Sequence, residues 1–263
     1  MQIVAQPKTE SMDMQLRGWR NIAWSYYGKL TQMHDGPQAF LVNLPENGGT
    51  VPPHFHDVDQ FQVIVRGGGR FGKDPVGPIA FHYADAFTPY GPIVGAEDGI
   101  SFFTLRAACA AGHFAMPGSR HLMPGKPGRN RGGSFALNQP APAAGQCTRE
   151  TLLFDAGDGV EVTGIRMGAS ALANGEPADA GAQYYVVCSG SLLHEGTEYP
   201  RLALIHVPAG EPAPRFQAGA DGADVLMLQL PRPSDRPGSN PALLAARKDQ
   251  PYAMPEGTVV TRK

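Results

Sequence analysis

The stretch GGTVPPHFHDVDQFQVIVRG, residues 48–67, decides how this chain is interpreted. It contains His54 and His56, which are separated by one residue. On a β-strand, residues i and i+2 point to the same face, so the two imidazoles can aim at one point. Two neutral imidazoles suit a divalent transition metal. An isolated His-x-His pair more often binds nothing, so the rest of the chain has to decide between the two interpretations.

Composition limits the class of protein. The 263 residues allow one large domain or two ordinary domains. The net charge is −2, from 22 Lys and Arg against 24 Asp and Glu, which argues against a general nucleic-acid binder. The 33 glycines and 25 prolines favour frequent turns, as in an all-β protein of short strands.

The sequence also predicts a compartment. No segment approaches the roughly 20 apolar residues that cross a bilayer, and the N-terminus has no run typical of a signal peptide. Cys109, Cys147 and Cys188 are far apart and form no C-x-x-C pattern. We therefore expect reduced thiols in a cytoplasmic protein that has neither a membrane nor a nucleic acid as partner.

Short apolar runs separated by turn residues predict β-strands in both halves of the chain. The clearest are residues 38–44, 60–66, 79–87 and 100–106, and then 159–167, 183–188, 201–207 and 225–230. The three glycines Gly67 to Gly69 predict a tight turn, because glycine tolerates positive φ. A short helix is predicted at 241–248, with Pro241 in its first turn.

The second half repeats the first, which favours two copies of one β-module. QFQVIVRG at 60–67 aligns with QYYVVCSG at 183–190. Two further pairs keep nearly the same spacing: Pro89-Tyr90-Gly91 with Pro208-Ala209-Gly210, and Asp98-Gly99 with Asp221-Gly222. The alignment places Pro177 and Asp179 where His54 and His56 stand, so a metal would belong to the first module.

Together, these residues resemble the cupin superfamily. The first cupin motif is matched by Gly48, His54, His56, Gln60 and Gly67, with Gln60 in place of the usual Glu. The second motif is matched by Pro89-Tyr90-Gly91, but Val94 stands where its histidine is expected. The resemblance covers roughly residues 38–107 and 160–230.

The resemblance implies an all-β chain of two tandem cupin-type jelly-roll β-barrels, a bicupin, packed against each other. The alternating apolar residues 61, 63 and 65 imply that this packing, or a homodimer, covers an apolar barrel exterior. The expected segments are an N-terminal arm (1–36), barrel 1 (37–107), a linker or lid (108–150), a degenerate barrel 2 (151–231) and a C-terminal tail (232–263).

The resemblance also implies a metal site on His54, His56 and Gln60, holding Fe, Mn, Ni or Zn. Gln60 resembles the glutamine at this position in manganese-dependent cupin hydroxynitrile lyases. Because Gln183 repeats it in a module without histidines, Gln60 is equally well interpreted as a barrel hydrogen-bonding residue. Since Val94 removes an imidazole, a water, a substrate or His82 would complete the coordination.

The pocket predicted beside this site is lined by Gln62, Ile64, Tyr90 and Val94. A small-molecule ligand or substrate is the expected partner. We favour a metal-dependent enzyme with oxygenase-type chemistry on a small carbonyl or aromatic compound. A non-catalytic small-molecule-binding or sensing bicupin is the alternative, and a metal-dependent lyase or isomerase is the second alternative.

Residues 108–150 allow two interpretations. They are either an irregular linker or a loop that covers the mouth of a barrel. In the second case they would offer His113, Arg120 or His121 to an anionic substrate.

Overall fold

The structure is a computed structural model that describes residues 1–16, 19–45 and 49–263. Gly48, the first glycine of the histidine motif, lies outside the described residues. The chain forms two compact units. Residues 7–132 and 233–263 form the first, here called the first barrel, and residues 1–6 and 133–232 form the second barrel.

Strands dominate the described residues, and they are numbered here in chain order. They are β1 (Gln2–Val4), β2 (Ser11–Leu16), β3 (Trp19–Tyr27), β4 (Gln38–Leu44), β5 (Thr50–Val51), β6 (His54–Phe55), β7 (Gln60–Phe71), β8 (Asp74–Val76), β9 (Ala80–Ala84), β10 (Ile93–Arg106), β11 (Phe114–Ala115), β12 (Asn130–Ser134), β13 (Cys147–Asp155), β14 (Val160–Met167), β15 (Leu172–Asn174), β16 (Gln183–His194), β17 (Thr197–Pro200), β18 (Leu204–Val207), β19 (Arg215–Gln229) and β20 (Val259–Arg262).

Helical structure is slight. A 3₁₀ turn spans Arg120–Leu122, and helix α1 spans Pro241–Ala245, shorter than the predicted 241–248. The side chain of Asn240 caps α1 by accepting a hydrogen bond from the Ala242 amide at 3.1 Å. No helix in the described ranges is long and apolar enough to cross a bilayer.

Antiparallel sheets build both units, as predicted from the short strands. One sheet runs β12-β9-β7-β10-β4-β3-β2-β20, and the other runs β1-β18-β16-β19-β14-β13. In each, the strand that opens with a repeated glutamine pairs with a long strand: β7 with β10, and β16 with β19. The all-β prediction of two cupin-type barrels is confirmed.

The two units do not follow the predicted segment boundaries. Residues 7–36 and 233–263, expected to be an arm and a tail, belong to the same compact unit as the histidines. Pairing explains this, because β2 lies between β3 and the C-terminal β20 in one sheet. Segments far apart in sequence therefore build the first barrel.

The predicted tight turn at Gly67 to Gly69 is wrong, because β7 continues through these glycines to Phe71. The glycines are needed for close approach between strands. Gly67 has φ 66°, and a Cβ there would lie 2.1 Å from the Gly99 carbonyl oxygen. At the repeat position, Gly190 has φ 62° and would bring a Cβ to 2.0 Å from the Gly222 oxygen. The repeat therefore preserves a β-bulge contact.

Alanine at Gly67 is expected to destabilise the protein by about 3 kcal/mol, since it combines positive-φ strain with a backbone clash. Gly72 is the matched control: it has φ 64°, and the nearest atom to an added Cβ lies 3.7 Å away. Gly72→Ala should cost about 1 kcal/mol. Denaturant titration measures both, and equal losses would contradict the clash.

The interiors of the two barrels differ. The second barrel is filled by a continuous apolar cluster that includes Ile165, Tyr185, Phe216 and Met227. Pro177 and Asp179, aligned with the two histidines, are exposed. The first barrel instead combines an apolar cluster with a cavity beside the histidines.

Candidate functional site

A cavity in the first barrel, partly open to solvent, is lined by both histidines of the motif. Its wall is largely apolar. The polar and ionisable side chains that line it include His54, His56, Gln62, Tyr90, Arg106 and His113. A mostly apolar cavity with a few convergent polar groups is the usual form of a small-molecule site.

Backbone hydrogen bonds fix the position of His54. Its amide donates to the Tyr90 oxygen at 3.1 Å, and its oxygen accepts from the Tyr90 amide at 3.0 Å. On the other side, His54 pairs with Ala115 of β11. The His56 carbonyl accepts from the Phe87 amide at 2.7 Å. The histidine segment is therefore held by backbone on both sides.

The ring hydrogen bonds fix which nitrogen of each histidine carries the proton. Nδ1 of His54 lies 2.8 Å from the Pro52 oxygen, and Nδ1 of His56 lies 2.5 Å from the Gly112 oxygen. A carbonyl can only accept, so each Nδ1 carries the proton and each Nε2 keeps its lone pair. Metal-binding histidines are typically oriented by a hydrogen bond of this kind.

Burial keeps both rings neutral. It lowers the pKa of His54 to about 4, and the charge of Arg106 adds to that effect. Burial also lowers the pKa of His56 well below its ordinary value, again assisted by Arg106. Because protons compete with metal ions for an imidazole lone pair, a depressed pKa leaves both nitrogens available at neutral pH.

The ring of a third histidine, His113, is oriented differently from the rings of His54 and His56. The rings of His54 and His56 are nearly perpendicular, at 85°, with centroids 5.1 Å apart. His113 stacks on His54 at 4.0 Å and 19°, and also on Trp19 at 5.0 Å. Because the lone pairs of stacked imidazoles lie in nearly parallel planes, the His113 ring as placed does not converge with the His54 ring on one ion.

Gln60 is already engaged by other side chains. Its carbonyl oxygen accepts from Nε of Arg106 at 3.0 Å, and its amide nitrogen donates to the Tyr90 hydroxyl at 2.6 Å. Gln60 is buried and does not line the cavity. The ligand role predicted from the motif stays a prediction, whereas the barrel hydrogen-bonding role matches these contacts.

The other predicted residues are divided between the cavity and its surroundings. Gln62 and Tyr90 line the cavity. Ile64 belongs to the apolar cluster, and Val94 pairs with Arg70 and Thr50 on β10. His82 also lies outside the lining, with its Nδ1 2.9 Å from the Gln62 side-chain oxygen. Ile64, Val94 and His82 are therefore not brought to the cavity surface.

Segments distant in sequence complete the cavity wall. Tyr252 and Met254, from the predicted tail, line it. Ala253 lies between them, and its amide donates to the Ala111 oxygen at 2.7 Å while its oxygen accepts from the His113 amide at 3.0 Å. Of the candidates in the predicted lid, His113 lines the cavity, while Arg120 and His121 lie in the exposed 3₁₀ turn.

Two aspartates near the histidines hold these segments rather than facing the cavity. Asp57 pairs with Arg247 and accepts from the Ala111 amide at 2.9 Å. Asp59 pairs with Arg236, whose Nη2 lies 2.8 and 2.9 Å from the two carboxylate oxygens. The carboxylates of Asp57 and Asp59 therefore stabilise the fold through these ion pairs and hydrogen bonds.

The side chains supply donor atoms for two coordination positions of one divalent metal ion. His54 and His56 offer neutral, oriented nitrogens, which suit Mn, Fe, Ni or Zn. Across the described ranges, no group of three or more His, Cys, Asp or Glu side chains has the arrangement of a metal site. The remaining positions of a metal held here would belong to solvent or to a bound small molecule.

Comparison with solved structures supports the fold. No family model and no curated sequence matches the chain. The chain is similar to a candidate dioxygenase from Nostoc punctiforme, with TM-score 0.59, 12% identity and coverage of 86% of this chain and 81% of that one.

Two oxalate decarboxylases are also similar in structure. The enzyme from Lactobacillus farciminis, in complex with formate, gives TM-score 0.53, 9% identity and 83% coverage of each chain. The enzyme from Bacillus subtilis, which has Mn(II) centres, gives TM-score 0.50, 12% identity and coverage of 86% and 77%. These structures are cupin-family proteins, and at such identities the likeness establishes a cupin-type fold for this chain.

Proposed function

We propose that the first barrel is a metal-dependent cupin enzyme acting on a small carbonyl or aromatic compound, with oxygenase-type chemistry. The observation that carries the proposal is the pair His54 and His56. Their protonated nitrogens are bound to backbone carbonyls and their lone pairs are available in one cavity. The fold shared with cupin enzymes agrees with it.

The role of the chain in this proposal is to hold and shield the reacting groups. His54 and His56 would bind the metal, which supplies Lewis-acid chemistry or, if it is iron, activation of dioxygen. Burial raises the pKa of Tyr90 to about 12, so its hydroxyl keeps its proton and can orient an oxygen of the substrate. Apolar side chains such as Trp19 and Phe102 line the cavity and would displace water around a bound substrate.

The second candidate function is a non-catalytic small-molecule-binding or sensing protein. It is favoured by one observation: across the described residues, no group of three or more His, Cys, Asp or Glu side chains is arranged to hold a metal ion. A binder needs the cavity but not the orientation of the two histidine rings. Metal-dependent lyase or isomerase chemistry would use the same two nitrogens as the oxygenase.

Metal loading separates these functions. The purified full chain is reconstituted with Fe(II), Mn(II), Ni(II) or Zn(II), desalted and assayed by elemental analysis, with His56→Ala in parallel. We expect about one equivalent of the preferred metal in the parent and less than about a tenth in the variant. If the parent retains less than about a tenth of an equivalent of every metal, the enzyme proposal fails.

Dioxygen uptake then tests the reaction class. The iron-loaded chain is given small 1,2-dicarbonyl and hydroxylated aromatic compounds in an oxygen-electrode cell. We expect uptake that depends on both iron and compound. Product formation without uptake would instead favour the lyase or isomerase.

A further inference from the structure

Strand β3, which lies in the segment predicted to be an N-terminal arm, brings two polar side chains to the cavity wall. Trp19 and Asn21 are two residues apart on β3, so their side chains lie on the same face of the strand. Both line the cavity, and they are only 6% and 5% exposed. Arg20, between them, is on the opposite face, where its guanidinium pairs with Asp13. The alternation along β3 therefore directs the indole and the amide toward the cavity.

One polar atom of each side chain has no hydrogen-bond partner within the described ranges. These atoms are the indole Nε1 of Trp19, which can only donate, and the side-chain Oδ1 of Asn21, which can only accept. Burying a polar atom without a partner costs free energy, so native proteins pair nearly all such atoms. An open donor and an open acceptor on one face of a cavity wall therefore indicate a group from outside the chain that satisfies both.

A second asparagine of the same sheet has the usual arrangement. Asn43, on β4, is partly buried, and its Oδ1 accepts a hydrogen bond from the Ser101 hydroxyl at 2.9 Å. Asn43 does not line the cavity. The chain thus pairs the asparagine oxygen that lies away from the cavity and leaves open the one at the cavity wall.

Ring stacking sets the position of these groups relative to the histidine pair. The indole of Trp19 stacks on the His113 ring, with centroids 5.0 Å apart, and His113 stacks on His54 at 4.0 Å. The indole is therefore two stacked rings away from His54. That separation suits a compound of about one aromatic ring, with one end at the histidine pair and the other at Trp19 and Asn21.

We propose that Trp19 and Asn21 form a subsite for an uncharged hydrogen-bonding group of the substrate, a hydroxyl or a carboxamide. The group accepts from the indole N–H and donates to the Asn21 oxygen. A hydroxyl does both through one oxygen, and a carboxamide does so through its oxygen and its nitrogen.

The subsite makes Trp19 and Asn21 specificity-determining residues. A ketone or a hydrocarbon at the same position would leave the Asn21 oxygen unpaired, and a site with an unpaired buried polar group discriminates against such a compound. This inference deepens the proposed function, on which it rests for the reaction at the other end of the substrate. The subsite itself needs no metal.

Two isosteric pairs of probes test the subsite. Phenol and fluorobenzene differ at a hydroxyl, and benzamide and acetophenone differ by an amino group replaced with a methyl. Affinities for the full chain, treated with chelator to prevent binding of phenol to a metal, are measured by ligand-observed NMR titration. We expect a preference of at least about 10-fold for phenol or for benzamide within its pair, and the pair that shows it identifies the group. Equal affinities within both pairs, or no binding of phenol or benzamide up to about 20 mM, would overturn the proposal.

Substitutions locate the preference. Asn21→Leu and Trp19→Phe keep the approximate shape of each side chain and remove its hydrogen-bonding atom, so each should reduce the preference to below about 3-fold. Asn43→Leu and Trp24→Phe are the matched controls, since neither parent side chain lines the cavity, and both should keep it. Folding of each variant is checked by circular dichroism. An unchanged preference in folded Asn21→Leu would overturn the proposal.

Unfolding without a probe separates a ligand-binding role from a structural one. Asn21→Leu removes an unpaired buried acceptor, so the urea midpoint should not fall. Asn43→Leu removes the acceptor of the Ser101 hydroxyl, so its midpoint should fall. A midpoint that falls as far in Asn21→Leu as in Asn43→Leu would contradict the proposal.

The outcomes also separate the subsite from the enzyme proposal. A chain that retains no metal but prefers phenol or benzamide loses the enzyme proposal and keeps the subsite. A chain that retains metal but shows no preference loses only the subsite.

Discussion

Replacing His54 with alanine is expected to lower the affinity for Mn(II) at least about 100-fold, since loss of a group that merely orients a ligand already costs 10- to 100-fold. His54 and His56 line the cavity, and their Nδ1 hydrogen bonds to backbone carbonyls leave the Nε2 lone pairs available. One remaining imidazole in a positively charged cavity would hold the ion weakly. Competition with a fluorescent chelator measures the affinity.

His82 and His121 supply matched controls for that substitution. His82 was a candidate ligand but lies outside the cavity lining, and His121 is exposed in the 3₁₀ turn. Alanine at either position should change the Mn(II) affinity less than about 3-fold. A loss at His82 comparable to that at His54 would mean that His82 is a ligand after all.

Replacing Arg236 with methionine is expected to destabilise the protein by about 3 kcal/mol, because a buried carboxylate loses its cation. Nη2 of Arg236 bonds to both oxygens of Asp59 and to the Ser239 hydroxyl at 3.0 Å, and it lies 3.3 Å from Asp85. Asp59 and Asp85 are both buried, and Asp85 retains Arg129. The substitution therefore removes the cation that is bonded to the buried Asp59, whereas Asp85 keeps its ion pair with Arg129.

Arg262→Met is the control for Arg236→Met. Arg262 lies 3.9 Å from Glu10, and both side chains are more than half exposed, so the pair should contribute at most about 0.5 kcal/mol. Free energies of unfolding from urea titration compare the two variants. Similar losses in both would contradict a structural role for the Asp59–Arg236 pair.

The core of the site could be predicted from sequence because its geometry is local. His54 and His56 need only an extended backbone between them to share a face, and both do line one cavity. The repeat was equally readable, since residues 60–67 and 183–190 align without a gap. Its consequence, a second barrel without the histidine pair, also follows from the alignment.

Side-chain pairing inside the barrel was not predictable from the motif alone. The spacing of Gln60 fits a metal ligand, but the spacing cannot show that its amide bonds to Arg106, a residue far along the chain. A signal was present nevertheless. Extending the repeat by one residue beyond Leu105 and Leu228 aligns Arg106 with Gln229, which marks a charge gained only in the module that carries the histidines.

The sequence did not reveal which distant segments complete the cavity wall. His113 and Tyr252 reach the cavity because backbone bonds join Ala253 to Ala111 and to His113. These bonds use main-chain atoms, so no residue type records them. The tight turn predicted at the three glycines was wrong for a related reason. Gly67 and Gly69 allow close approach to the backbone of β10, and the chain does not reverse there.

The number of histidine nitrogens bound to the metal tests the central claim most directly. Pulsed electron paramagnetic resonance of the Mn(II)-loaded chain, with and without ¹⁵N-histidine labelling, counts them. We predict two histidine nitrogens in the parent chain and one in His54→Ala. A parent spectrum with no bound histidine nitrogen, or with three, would contradict a metal centre built on His54 and His56.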